Sequence, residues 1–174
     1  MKYPYLDLYV ACSLTHAPQG FRDQVERLKT ELKTNVCNVL CFLGCGTGAS
    51  PHDIYHWDIH KCVRPSHAVL AICDLPAIGL GYEMGTAVEA QRKPVLAIAH
   101  QLAKVSDLVL DPRQPGYEFR RYKDLFLDVP AMVEEWLGRV AHQIYGRPDE
   151  TLFPDLHPLR IGRPALSSPV QLVA

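Results

Sequence analysis

The sequence has no long apolar run, no excess of either charge and no internal repeat. A bilayer-spanning helix needs about 18 consecutive apolar residues, and no run approaches that length, so no membrane span is expected. Asp7 interrupts the first hydrophobic stretch, and a secretory leader is not expected either. Lys and Arg number 18 against 19 Asp and Glu, a formal net charge of −1. Domains that hold nucleic acid through a bulk positive field usually have a pI above about 9, so no nucleic-acid partner is expected.

What is present is a globular composition, 48% hydrophobic and 21% charged over 174 residues. A chain of this size buries roughly 70% of its extended surface, so its core needs no disulfide staples. Six cysteines are nevertheless an unusual count. Cys12, Cys37, Cys41, Cys62 and Cys73 sit in apolar runs and Cys45 beside glycine. That placement is expected of reduced packing thiols in a cytoplasmic protein.

Short apolar runs alternate with helical stretches. Residues 6–12, 35–43, 67–73 and 94–99 read as buried strands, and 117–122 as a short fifth one. Phe21, Val25, Leu28 and Leu32 recur at spacings of four, three and four, which predicts an amphipathic helix over 21–33. Ser50 caps a second helix to about 63, with Pro51 in its first turn. A third is predicted over about 81–92. A last one runs over 129–144, with Met132, Trp136, Val140 and Ile144 on one stripe. Continuously apolar strands separated by helices imply a sheet covered on both faces. The expected fold is therefore a single α/β domain, residues 1–146, with a mostly parallel, doubly wound five-stranded sheet of the Rossmann or flavodoxin-like kind. A tail, 147–174, carries five prolines, which exclude a regular helix there.

Two segments could carry chemistry. The first is the glycine loop at 44–48 after the second strand. It looks like the first motif of S-adenosylmethionine-dependent methyltransferases, with Asp74 at the end of the next strand placed to grip a ribose. Against it, Cys41 and Phe42 stand where an acidic residue is usual, Ala49-Ser50-Pro51 inserts a turn before the helix, and only 126 residues follow the motif. The second segment runs from Asp74-Leu75-Pro76 through Gly79-Leu80-Gly81-Tyr82-Glu83-Met84-Gly85-Thr86-Ala87. Here Gly79 and Gly81 are expected to form a tight turn. Glu83 should fall in the first turn of the next helix, at the carboxyl end of a parallel strand, where doubly wound sheets bind ligands. The helix N-terminus should hold its carboxylate ionised. A fixed, ionised carboxylate suits nucleophilic attack at an anomeric carbon. It suits equally a glutamate that only complements the helix dipole.

The stretch 79–87 resembles the signature of the nucleoside 2-deoxyribosyltransferase family and of the related 2'-deoxynucleoside 5'-phosphate N-hydrolases. Leu8-Tyr9-Val10-Ala11-Cys12-Ser13-Leu14 is similar to that family's first strand and loop. Trp57-Asp58-Ile59 lies 25 residues before Glu83, where the family keeps an aspartate. The resemblance spans roughly residues 6–125. It implies Glu83 as the nucleophile that takes deoxyribose from its base, Asp58 as the group that protonates or hydrogen-bonds the leaving base, and Tyr9 as the residue that orients Glu83. It implies Ser13, Gly79, Gly81 and Ser106 at the substrate, a nucleoside and a nucleobase as ligands, no cofactor and no metal, and a homo-oligomer with sites near subunit interfaces.

Ala77 stands where the transferases often have an aspartate and the hydrolases a serine, and neither base nor phosphate recognition can be read from it. The loop after the first strand, however, lacks the arginine that the hydrolases place there for a 5'-phosphate. This favours transfer between bases on neutral nucleosides, with the 5'-monophosphate N-glycosidase as the alternative. A nucleotide-sensing module without turnover is the non-enzymatic one. His52, His56 and His60 recur every four residues on one helix, a spacing that can bind zinc. Nothing supplies the third ligand and base of a catalytic zinc, so a polar helix face is expected. The basic run at 120–123 is expected to be a solvated strand edge.

Overall fold

The computed structural model describes residues 1–14, 17–40, 49–110 and 114–145. Five strands form one sheet: β1 (Tyr3–Cys12), β2 (Cys37–Leu40), β3 (Ala68–Ile72), β4 (Val95–His100) and β5 (Tyr117–Tyr122). Their order is β2-β1-β3-β4-β5 and every pairing is parallel. The sheet is thus wholly parallel and doubly wound, with its topological switch between β1 and β3.

Side chains alternate across each strand, and the two faces differ in bulk. Leu8 and Val10, Leu70 and Ile72, and Leu96 and Ile98 point to the face covered by α1 (Gln19–Asn35) and α5 (Val129–Tyr145). Val25, Leu28 and Leu32 of α1 and Trp136, Leu137 and Val140 of α5 complete that layer. The stripe expected on α5 is present, widened by Val133 and Leu137. The opposite face is built of Tyr9, Ala11, Val69, Ala71, Ala97 and Ala99. Alanines there let two further helices approach the sheet closely.

Those helices are α2 (Pro51–Tyr55) and α3 (Ile78–Gly85), and both change pitch. The first continues as a π-helical segment, His56–Val63, and the second as another, Thr86–Ala90. Ser50 caps α2 as expected, its hydroxyl accepting from Asp53 N–H while Asp53 accepts from Ser50 N–H. A short α4 (Asp107–Leu110), with no counterpart in the sequence reading, follows β4. Edge strand β5 is fastened to α5 by ion pairs: Arg120 to Glu135, with contacts of 2.9 and 3.1 Å, and Arg139 to Glu118 at 2.7 Å.

Two expectations are corrected. The third helix begins at Ile78, not near residue 81, because extended Ala77 after Pro76 already forms its N-cap. Gly79 and Gly81 therefore lie within α3 and form no turn; neither has a positive φ. The glycine loop at 44–48 and the tail fall outside the described residues, as do Thr15 and His16. Among the described residues no helix is long and apolar enough to cross a membrane. Cys12, Cys37, Cys62 and Cys73 are free thiols, and burial pushes Cys37 and Cys73 up to about 12 and Cys12 to about 11.

Candidate active site

Three elements meet beside the switch point. Tyr9 is a β1 residue of the alanine-rich face, so its ring points toward α3. Leu80 and Met84, four residues apart, dock α3 on that face, and Glu83 is carried inward with them. The Tyr9 hydroxyl donates to Glu83 Oε2 at 3.0 Å. Ile59, Cys62 and Val63 pin the π-helical continuation of α2 to the same layer, and Asp58 precedes them there.

Glu83 is only 8% exposed. Burial, followed by the negative charge of Asp58, raises its carboxyl to about 7, against the opposing hydrogen bond from Tyr9. Burial likewise raises Asp58 to about 6. The expectation that the helix N-terminus keeps Glu83 ionised is thereby corrected. Glu83 is the sixth residue of α3, past the four free N–H groups of the first turn, and removal from water dominates. Asp58 Oδ1 is buried with no hydrogen-bond partner among the described residues. The Tyr9 hydroxyl supports charge on Glu83, whereas Asp58 Oδ1 has no donor among the described residues. No cation among the described residues acts on either carboxyl.

The remaining candidates are distributed around this pair. Ser13 is buried directly after β1. Gly79 and Gly81 are exposed, and a Cβ on either would meet nothing within 4 Å, so both open space beside the helix. Asp74 is committed elsewhere: it accepts from His100 N–H at 2.5 Å and from the Tyr122 hydroxyl, locking the ends of β3, β4 and β5 together. Ser106 lies on the other side of α3, in an apolar cleft of about 540 Å³ shared with Cys73, Ala77, Leu80, Gly81 and Val109. Glu83, Asp58 and Tyr9 do not line that cleft. Arg22 donates to Ala17 O at 3.1 Å, and buried Lys29 is paired with Glu26 at 2.7 Å. The sequence reading passed over Cys62, four residues after Asp58, whose buried thiol adds to the field that raises the Tyr9 hydroxyl after burial, Glu83 and Asp58. Its spacing from Asp58 was the available signal.

The fold and these residues define a doubly wound α/β protein with a buried glutamate and a half-buried aspartate beside its switch point. No protein-family profile matches the sequence, and no curated protein matches it at a significant level. Among solved structures, the chain is similar to the CMP N-glycosidase BcmB of Clostridium botulinum, at 14% identity and a TM-score of 0.58, over 75% of this chain and 99% of that one. It also matches a 2-deoxyribosyltransferase of Leishmania mexicana at 18% identity and a TM-score of 0.45, over 54% of this chain and 64% of that one. A lysine decarboxylase of Francisella novicida, LdcF, matches at 10% identity and a TM-score of 0.46, over 79% and 18%. The first likeness establishes a shared fold; the other two carry no argument.

Proposed function

We propose that this chain cleaves the N-glycosidic bond of 2'-deoxyribonucleosides and transfers the deoxyribosyl group to a second base. One observation carries the reading: Glu83, held by the Tyr9 hydroxyl, lies beside a buried, partnerless oxygen of Asp58. Glu83 Oε attacks C1' as the bond to the base breaks and its electron pair passes to the base nitrogen. Asp58 supplies the proton that a poor leaving anion needs. An acceptor base then attacks C1', displacing Glu83, while Asp58 takes back a proton. Two displacements retain the anomeric configuration. The signature-like stretch 79–87 and the N-glycosidase that shares the fold both support a glycosidic substrate.

Transfer on neutral nucleosides is favoured over a 5'-monophosphate because the loop after β1 lacks the arginine that the phosphate-specific hydrolases place there. Hydrolysis of a 5'-monophosphate is the second reading, supported by the nucleotide substrate in the name of the protein that shares the fold. Incubating a deoxynucleoside with a labelled free base tests both. Exchange of label into nucleoside, lost in Glu83→Ala, is the expected result. Free base released only from monophosphates would select the hydrolase, and unchanged rates in Glu83→Ala would refute a glutamyl intermediate.

We further propose a homo-oligomer. Ile78, 95% exposed at the start of α3, and exposed Tyr82 leave apolar surface on the helix that carries Glu83, which suits cover by a second copy.

A further inference from the structure

The proposed reaction leaves one cluster of ligating side chains unused. His52, His56 and His60 follow one another along α2 and its π-helical continuation, and their rings form a ladder. The His56 and His60 rings are 5.3 Å apart at 17° to each other; His52 and His56 are 6.4 Å apart at 21°. Tyr55 braces the ladder's end, its ring edge-on to His60 at 5.5 Å. No hydrogen bond engages any of the three imidazoles among the described residues, so their ring nitrogens keep unclaimed lone pairs.

We propose that His56 and His60 together bind a divalent late first-row cation, Ni²⁺, Cu²⁺ or Zn²⁺, on the outer face of this helix, with water completing its coordination. Imidazoles four residues apart on one helix face can reach a single ion, and imidazole suits these three metals rather than Mg²⁺ or Ca²⁺. Ring separation selects the pair, since His52 lies 1.1 Å farther from His56 than His60 does (6.4 against 5.3 Å).

The local charges act in both directions. The Asp53 carboxylate interacts with His52 and His56 and favours a cation there. Arg64 and Lys61 act on His60. The same cations oppose a bound ion and limit its affinity. Among the described residues no set of three His, Cys, Asp or Glu has the geometry of a metal centre. The site is accordingly an open two-histidine one, not a closed structural zinc, and it is independent of the glycosidic reading.

Titrating NiCl₂ and CuCl₂ by calorimetry into the full chain, stripped with a chelator, tests this, with electron paramagnetic resonance on the copper form. The expected result is one ion per chain, nitrogen hyperfine splitting from two imidazoles, and affinity at least tenfold weaker in both His56→Ala and His60→Ala. His52→Ala should change affinity less than twofold. All three positions are on the helix exterior, and circular dichroism verifies that each variant is folded. Loss in only one of the two variants, an equal loss in all three, or no loss in either would overturn the assignment.

Discussion

Glu83 is held in an environment that disfavours its own charge, and that has a thermodynamic signature. Its folded value of about 7 lies above the ordinary 4.5. Between those limits the folded chain holds more protons than the unfolded one, so stability is fully present below pH 4.5 and declines as pH rises through 7. Glutamine does not titrate. Glu83→Gln is therefore expected to gain up to about 3 kcal/mol at pH 8 and close to nothing at pH 4, as read by urea denaturation at both pH values. Tyr9→Phe should act in the other direction on the same carboxyl. Without the donor Glu83 rises further, so the ascending limb of kcat/KM against pH moves to higher pH and the rate falls about 10- to 100-fold. Attention fell on Glu83 and Tyr9 through the resemblance of residues 79–87 and 8–14 to a family signature, and the structure brings the two within hydrogen-bond distance. The sense of the Glu83 shift was not legible in the sequence, because it depends on how deeply α3 docks and not on neighbours in the chain.

At the level of elements, apolar runs and caps were readable and backbone pitch was not. The Ser50–Asp53 capping box and the α5 stripe follow local rules of spacing. Gly79 and Gly81 misled, because glycine marks turns by preference, whereas packing of Leu80 and Met84 on the alanine-rich face keeps both helical. The π-helical segments left no trace in the hydrophobic pattern, since one widened turn barely alters which residues face inward. Such segments often accompany functional sites, and here they follow directly on α2 and α3, one containing Asp58 and the other beginning three residues after Glu83. Asp74, read as a ribose contact, instead ties three strand ends. Tyr122→Phe removes one of its two partners and is expected to cost about 1–2 kcal/mol. A urea midpoint unchanged from wild type would argue against that latch.

The whole molecule assembles two carboxylates and the tyrosine that holds one of them from residues 58, 83 and 9, on three elements that become neighbours only through the β1–β3 pairing. Fold class could be read from the alternation of strands and helices. Strand order and the uniformly parallel register could not, because they are set by contacts distant along the chain. Light scattering should give a mass that is a multiple of 19.5 kDa if a second copy covers Ile78 and Tyr82; a monomer would leave that apolar surface without its proposed cover.

The place of β1 between partners far apart in the chain also bears on how the chain is made. Its partner β2 begins at Cys37, but its other partner, β3, begins only at Ala68. At roughly 5–20 residues per second of synthesis, one flank of an almost wholly apolar strand waits several seconds for its neighbour. During that interval the growing chain can complete β1, α1 and β2 as a unit, while the open flank is the surface a chaperone would need to shield.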